Sequence, residues 1–378
     1  MIKTIRYIFS TLCLTLLLFS CNSEEGSNTK SEDQSSNPEG TLVYEGKNGP
    51  GKGKHIVFIA SDHEYRSEET CPALARILAK RFGFKCTVLF GLDPETGTVT
   101  PGSSHIPGMQ ALESADLMFC FMRFLDPAEE EMKYFNAYLK KGGPVIGLRT
   151  STHAFKTSPT SKNIKYNWTN KDKNYEKGFG RQILGESWAG HYGKNHVSST
   201  RIDVVKKQAN HPVNKGVKNA HAHSGGYGAN PMPDSIILAT AQPLLTMEPN
   251  AAADPEKTPV PTSWVRSYKS DSGKEGRVFT STHGASEDIL NEGYRRQLIN
   301  AVFWTTGLED KITADMNVSF VGPYNPVTFS MGGYRMNVKP SDIKGWDTPI
   351  WGKDIALKPK PVKQKKKKSA VKKPAEKK

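Results

Sequence analysis

Short apolar runs alternate with helical patterns through residues 55–148, and this alternation constrains the fold more than any other feature of the sequence. One helix is predicted from about Glu68 to Phe82, and a second from about Ala128 to Lys141. The strand-like runs are His55–Ala60, Cys86–Phe90, Ala115–Phe121 and Pro144–Leu148. Continuous apolar strands separated by helices predict an α/β fold with a doubly wound, mostly parallel sheet and helices on both faces.

The pattern resumes after residues 154–196, an aromatic-rich stretch without clear periodicity that we expect to be a lid or binding loop. At the start of the second helix, Asp126 is predicted to be the N-cap and Pro127 the first helical residue. The later elements are the strand-like runs Val197–Val205, Ile236–Thr240, Ser263–Tyr268 and Arg277–Ser281, and a helix over Leu290–Thr306. We therefore expect one α/β domain over residues 53–308 and an extension over residues 309–357 that packs on it.

Two of these strands end in the same four residues. Thr150-Ser-Thr-His153 follows the run that ends at Leu148, and Thr280-Ser-Thr-His283 closes the run that begins at Arg277. In open α/β sheets, ligands bind at the carboxyl ends of the strands. The repeated ending predicts one crevice that is lined by a histidine from each strand.

The first forty residues carry targeting features. Lys3 and Arg6 precede a short apolar segment, and Leu18-Phe-Ser-Cys21 resembles a bacterial lipobox. This resemblance implies a signal peptide over residues 1–20, lipidation of Cys21 and a flexible linker over residues 21–52. We expect an exported protein that a lipid anchors to a membrane, at the outer membrane or cell surface.

The last residues explain the basic composition. Residues 358–378 hold eleven Lys and one Glu, which is +10 of the net charge of +14. Such blocks are typical of disordered tails, so the high charge does not predict a nucleic-acid partner for the folded domain. Cys71, Cys86 and Cys120 lack metal-ligand spacing and are interpreted as small core residues.

Several motifs of the predicted domain form a recognisable set, which spans roughly Lys54 to Leu308. The motifs are Asp62-His-Glu-Tyr-Arg66, Gly147-Leu-Arg-Thr-Ser-Thr-His153, Val260-Pro-Thr-Ser-Trp264, Gly276-Arg-Val-Phe-Thr-Ser-Thr-His-Gly284 and Asn300-Ala-Val-Phe-Trp304. Together they resemble the ThuA-like, or trehalose-utilisation, family, and the extension resembles one found in some of its members. The resemblance implies a flavodoxin-like fold of the class I glutamine amidotransferase type.

The resemblance also identifies where a glutaminase would carry its nucleophile. That position falls at Arg149 or Thr150, with no cysteine nearby, while His283 occupies the position of the glutaminase histidine. A cysteine-dependent amidotransferase is therefore not expected. Ser151 is an alternative nucleophile, but it would need a strained elbow and a base, and the Gly-x-Ser-x-Gly pattern is missing.

The family further implies carbohydrate chemistry beside oxidoreductases that make 3-keto sugars. A ketone at C3 acidifies the C2 proton, so general acid/base groups could eliminate the C1 substituent of a keto glycoside or disaccharide. We predict a hydrolase or lyase of this type. His283 or His153 is the candidate base and Glu64 or His63 the candidate acid. The predicted substrate contacts are Arg66, Arg123, Arg149, Thr150, Trp188 and His191.

Each of these assignments has an alternative. His153 and His283 could be structural histidines, Arg149 could pair with Glu64 rather than face a ligand, and Trp188 could pack the long loop onto the core. No cofactor or metal site is predicted, because the histidine pairs lack a third ligand at metal spacing, although a divalent ion held by distant residues stays open. The alternative function is a surface glycan-binding protein without turnover.

Overall fold

A computed structural model describes residues 40–351 and 355–358. Its α-helices are α1 (Ser67–Phe82), α2 (Glu129–Lys140) and α3 (Glu292–Thr305). The strands are β1 (Thr41–Glu45), β2 (His55–Ser61), β3 (Lys85–Phe90), β4 (Leu117–Met122), β5 (Val145–Leu148), β6 (His191–Tyr192), β7 (Thr200–Val204), β8 (His221–Ala222), β9 (Gly226–Tyr227), β10 (Ile236–Pro243), β11 (Val260–Lys269) and β12 (Glu275–Ser281). Every predicted strand and helix is present, with ends within three residues of the prediction.

The main sheet has the strand order β1-β3-β2-β4-β5-β12-β11-β10-β7-β8. Strands β3, β2, β4, β5 and β12 run parallel to one another. Along the chain they have the order 2-1-3-4-5, which is that of the flavodoxin-like fold. The predicted α/β class and parallel centre are thus confirmed, and antiparallel strands widen the sheet at both edges.

Alternate residues of the central strands pack on opposite faces of the sheet. Ile56 and Phe58 of β2 belong to a core that α1, α3 and the C-terminal extension cover. Val57 and Ile59 belong to a second core beneath α2 and the loop that follows β5. Because both faces are buried, β2 reads as a continuous apolar run rather than an alternating one.

Three predicted boundaries need comment. The linker predicted over residues 21–52 ends earlier, because Thr41–Glu45 forms the edge strand β1 beside β3. The predicted cap of α2 is wrong: α2 begins at Glu129, and the Asp126 carboxylate accepts the Ser158 N–H at 2.9 Å instead. The predicted signal peptide, Cys21 and residues 359–378 of the lysine-rich tail lie outside the described residues.

Buried arginines connect the C-terminal extension to the sheet and α1. Arg76 on α1 donates to the carbonyl oxygens of Ile343 at 2.8 Å and Thr348 at 2.6 Å. Arg335 of the extension pairs with the buried Glu69 carboxylate at 2.6 Å. The extension therefore packs directly behind the loop that follows β2. Within the described ranges, no helix is both long and apolar enough to cross a membrane.

Candidate functional site

Three loops meet at the carboxyl ends of β2, β4 and β5. Arg123 follows β4, and its guanidinium pairs with the Glu64 carboxylate in the loop after β2. The Phe124 N–H donates to the His153 carbonyl in the loop after β5 at 3.1 Å. The strand ends that the sequence predicted to carry chemistry therefore lie side by side.

Asp62 shapes the first of these loops. Its buried carboxylate accepts the backbone N–H groups of Glu64, at 2.8 Å, and of Tyr65. This Asx-type turn fixes the backbone under His63 and Glu64. Both side chains are half-buried, and burial lowers the pKa of His63 below 6.5. They form the rim of the site.

Arg149 occupies the sharp turn directly after β5, with a backbone φ of 44°. Its fully buried guanidinium lies between the rings of Tyr65, at 3.6 Å, and Tyr227, at 4.7 Å. The Nη1 atom donates to Ser224 Oγ at 3.1 Å and to the carbonyl oxygens of Gly225 at 2.9 Å and Thr282 at 3.0 Å. The Nε and Nη2 atoms are buried and have no hydrogen-bond partner among the described residues.

The environment of Arg149 decides between two interpretations of the sequence. Glu64 pairs with Arg123, and no carboxylate of the described chain forms an ion pair with Arg149. Thr150, the next residue, is also buried, and its hydroxyl lacks a described partner. Unpaired buried polar groups are rare in folded proteins unless a ligand or water satisfies them. Both residues thus have the features of a ligand site.

His153 lies in an aromatic box at the same edge. Its ring is 5.0 Å from Phe124, 5.2 Å from Trp188 and 5.9 Å from Tyr227, centroid to centroid. Burial, followed by the positive charges of Arg123 and Arg149, holds its pKa well below 6.5. His153 is therefore neutral at physiological pH.

The long loop after β5 supplies the outer wall of the site. Half-buried Trp168 and Trp188 pack against each other with a centroid distance of 5.8 Å. Exposed His191 lies 5.8 Å from the Trp188 ring and pairs with Tyr227 through the short ribbon of β6 and β9. The Tyr192 hydroxyl instead donates to the Thr258 carbonyl at 2.6 Å. The predicted contacts Trp188 and His191 thus lie beside His153.

His283 has a different environment. It is fully buried, and its Nδ1 lies 3.1 Å from Ser224 Oγ, which donates to Asp288 Oδ2 at 2.6 Å. Burial lowers the pKa of His283 to about 4. Because Ser224 donates to Asp288, it accepts the Nδ1–H of His283, which leaves Nε2 unprotonated. Asp288, Ser224 and His283 thus form a hydrogen-bonded relay. Arg149 lies between this relay and His153, and its positive charge lowers the pKa of both histidines.

Two further candidates are engaged elsewhere. Arg66 donates to the Thr328 carbonyl and Ser330 Oγ of the extension, both at 3.4 Å, and is almost fully buried. Arg66 therefore anchors the extension, whereas the sequence predicts it as a substrate contact. The Ser151 hydroxyl donates to the Cys120 carbonyl at 2.8 Å and accepts the Met122 N–H at 3.2 Å. These bonds occupy Ser151 and disfavour it as a nucleophile.

Among the described residues, no group of three or more His, Cys, Asp or Glu side chains is arranged to hold a metal ion. His196 stacks on Phe329 of the extension at 4.4 Å rather than facing His191. A cleft between α2 and β11 is lined by Tyr166, Tyr175 and Tyr268, without a described histidine or arginine. The convergent polar groups lie instead at the carboxyl edge of the sheet.

Two solved structures are among those to which this chain is similar. A protein described as ThuA-like from Parabacteroides merdae shares 15% identity over 74% of this chain and 98% of that chain, with a TM-score of 0.43. Another, from Bacteroides uniformis, shares 13% identity over 68% and 92%, with a TM-score of 0.39. No curated protein matches the sequence.

A family model described as "ThuA: Trehalose utilisation" matches residues 61–305. The match begins at the end of β2 and ends at the end of α3, so it contains every candidate side chain at the carboxyl edge. Because it spans well over half of the sequence, the chain belongs to the ThuA, trehalose utilisation, family.

Proposed function

We propose that this protein acts on a carbohydrate, as a lyase or hydrolase of keto glycosides that works by general acid/base chemistry. The observation that supports this most is the convergence of Glu64, Arg123, Arg149 and His153 at one edge of the sheet, beside aromatic rings. Proton-transfer groups and cations suit a reaction through an enolate, and aromatic faces suit a pyranose ring.

In this proposal His153 accepts the C2 proton of a glycoside that carries a ketone at C3. Its neutral imidazole is available as a base at pH 7 because burial and Arg123 hold its pKa low. The electrons of the C2–H bond move onto the C3 oxygen, where Arg123 stabilises the enolate while Arg149 contacts the substrate. The enolate then expels the C1 substituent, and the imidazolium returns the proton to the leaving oxygen.

Hydrolysis requires one further step. The elimination leaves a double bond between C1 and C2 that is conjugated to the ketone, and water can add to C1. Glu64 is the proposed base for this water, because its carboxylate lies at the rim of the site, where Arg123 holds it. Glu64 then delivers the proton to C2, and His63 lines the same rim. An oxidoreductase that makes 3-keto sugars would supply the substrate.

His283 acts as a positioning residue in this account. It is linked to Arg149 through Ser224, and it is packed against Gly226, whose added Cβ would lie 3.4 Å from Nε2. The relay from Asp288 through Ser224 to Arg149 holds the guanidinium against the substrate side of the site. This role replaces the alternative in which His283 removes the substrate proton.

The test is product analysis with disaccharides and their 3-keto derivatives. Wild-type protein should cleave the keto sugars alone, and His153→Gln should lose this activity while keeping the fold. His105→Gln is the control, since His105 is exposed and its ion-pair partner is Glu131. Saturable sugar binding without turnover would overturn the enzymatic proposal in favour of a glycan-binding protein.

We further propose that the protein is exported and anchored through lipidated Cys21. The supporting feature is the lipobox-like Leu18-Phe-Ser-Cys21 after a basic and apolar segment. Metabolic labelling with a fatty acid should mark the wild-type protein. Label that persists in Cys21→Ser would contradict this anchor.

A further inference from the structure

The unpaired edge of Arg149 indicates what kind of sugar the site takes. We propose that the substrate carries a carboxylate, as in a uronic acid residue, and that Arg149 binds this group through Nε and Nη2. The inference rests on the proposed carbohydrate function and specifies its substrate class. The supporting observation is that several buried polar atoms around Arg149 have no hydrogen-bond partner among the described residues.

Arg149 is held in one orientation before any ligand binds. Two tyrosine rings stack on its faces, and three acceptors occupy Nη1. The remaining Nε and Nη2 hydrogens form the edge that binds a carboxylate through two parallel hydrogen bonds. A rigid arginine loses little conformational entropy when it forms such a pair.

The neighbouring unpaired atoms are mostly obligate donors. Arg123 Nε and Trp188 Nε1 are buried without a described partner, like the two Arg149 nitrogens. Such N–H groups cannot accept hydrogen bonds, so they favour a ligand group that only accepts, as an ionised carboxylate does. The unpaired acceptors in the same region are Asp62 Oδ2 and His283 Nε2, and the unpaired Thr150 hydroxyl can donate or accept. A carboxylate meets this excess of donors better than a neutral sugar does.

An enolate formed during the reaction would not by itself satisfy Arg149. A buried guanidinium with an open edge is costly throughout the ground state, whereas the enolate exists only as the reaction proceeds. A substrate carboxylate would pair with the guanidinium already in the bound complex. Arg123 would then remain to stabilise the charge that develops at the C3 oxygen.

A carboxylate also fits better than a phosphate, which the same arginine edge could bind. Asp62 and Glu64 lie close enough to act electrostatically on Arg123, so a second negative charge on the ligand would be repelled. The proposal therefore commits to a sugar acid.

The test compares ligands by calorimetry on the full-length protein in detergent. Methyl glucuronide should bind at least tenfold more tightly than methyl glucoside. Acetate alone should bind weakly, because it lacks the sugar ring that packs on the tryptophans. Equal binding of glucuronide and glucoside, or tighter binding of glucose 6-phosphate, would overturn the proposal.

Variants locate the effect. Arg149→Lys keeps the charge but removes the two-hydrogen edge, so it should abolish the preference for the acid, and Arg201→Gln should not. Arg201 is the matched control because it pairs with Asp203 on an exposed part of β7. Trp188→Phe keeps the ring and removes one donor. It should reduce the preference severalfold even if Arg149→Lys fails to fold, and an unchanged preference would count against the proposal.

The two proposals fail in different ways. Tight binding of glucuronides without turnover of any keto sugar would leave the substrate class intact and refute the enzymatic function. Turnover of neutral and acidic keto glycosides at equal efficiency would leave the enzymatic function intact and refute the substrate class.

Discussion

The buried Glu68 carboxyl should make the stability of the protein fall as the pH rises. Glu68 lies in the first turn of α1, is almost fully buried, and neither carboxyl oxygen has a hydrogen-bond partner among the described residues. The nearest cation is Arg66, whose Nη1 lies 3.9 Å away. Burial therefore raises the pKa of Glu68 to about 7 from its ordinary 4.5.

The sign of this pH dependence follows from the different pKa values of Glu68 in the folded and unfolded states. The unfolded carboxyl releases its proton near pH 4.5, whereas the folded one keeps it until about pH 7, so the folded state binds more protons in this range. Stability is thus lost as the pH rises from about 4.5 to 7. A pKa difference of this size corresponds to about 3 kcal/mol in the free energy of unfolding.

Urea unfolding of the wild type and of Glu68→Gln between pH 5 and pH 8 measures this effect. The neutral amide should remove the loss of stability that ionisation of Glu68 causes. As the pH rises through this range, the free energy of unfolding of the variant should therefore increase by about 3 kcal/mol relative to that of the wild type. Buried histidines such as His283, with a pKa near 4, titrate equally in both proteins and cancel in the difference, whereas Glu68→Gln also lowers the raised pKa of neighbouring Glu69, which changes the difference in the same direction. Glu129→Gln, at an exposed site, is the control. A constant difference across the pH range would refute the reasoning.

Three further substitutions test the packing around the site. Gly147→Ala would place a Cβ 2.5 Å from Leu184 Cδ1, so urea unfolding should register a loss of about 1–3 kcal/mol, and an unchanged midpoint would contradict this packing. Arg335→Met removes the cation that pairs with buried Glu69, whose pKa burial raises to about 8, so the loss should grow above pH 8 as this carboxyl ionises and reach about 3–5 kcal/mol. A loss that Glu69→Gln does not relieve in the double variant would argue against the ion pair. Ser224→Ala removes one acceptor that orients Arg149 without touching substrate, so it should raise KM for an acidic keto glycoside more than it lowers kcat, and an unchanged KM would contradict this positioning role.

The sequence was informative where chemistry and secondary structure share a local signal. Glu64, Arg123, Arg149 and His153 all follow apolar runs that form β2, β4 and β5, and strand ends in a parallel sheet meet at one edge. Their proximity could therefore be predicted without knowing any contact. The environment of His283 could not be predicted in this way, although it also follows a strand, because its partner Ser224 lies on a different part of the chain.

Contacts that depend on how the chain returns to the site had no sequence signal. Ser224 and Asp288 are 64 residues apart and belong to no motif, yet they form the relay behind Arg149. Tyr227 stacks on Arg149 because the ribbon of β6 and β9 brings it there. Arg66 was placed with the substrate contacts because it stands in a polar loop, but the extension supplies its acceptors. Such long-range pairing is set by tertiary packing rather than by local pattern.

Proton exchange at C2 tests the central claim most directly. A 3-keto glycoside is incubated with the protein in deuterium oxide, and the loss of the C2 proton signal is followed by NMR against a sample without protein. The account predicts exchange or elimination with the wild type that slows by at least about a hundredfold in His153→Gln. Exchange at the same rate in wild type and His153→Gln, or at the rate without protein, would contradict it.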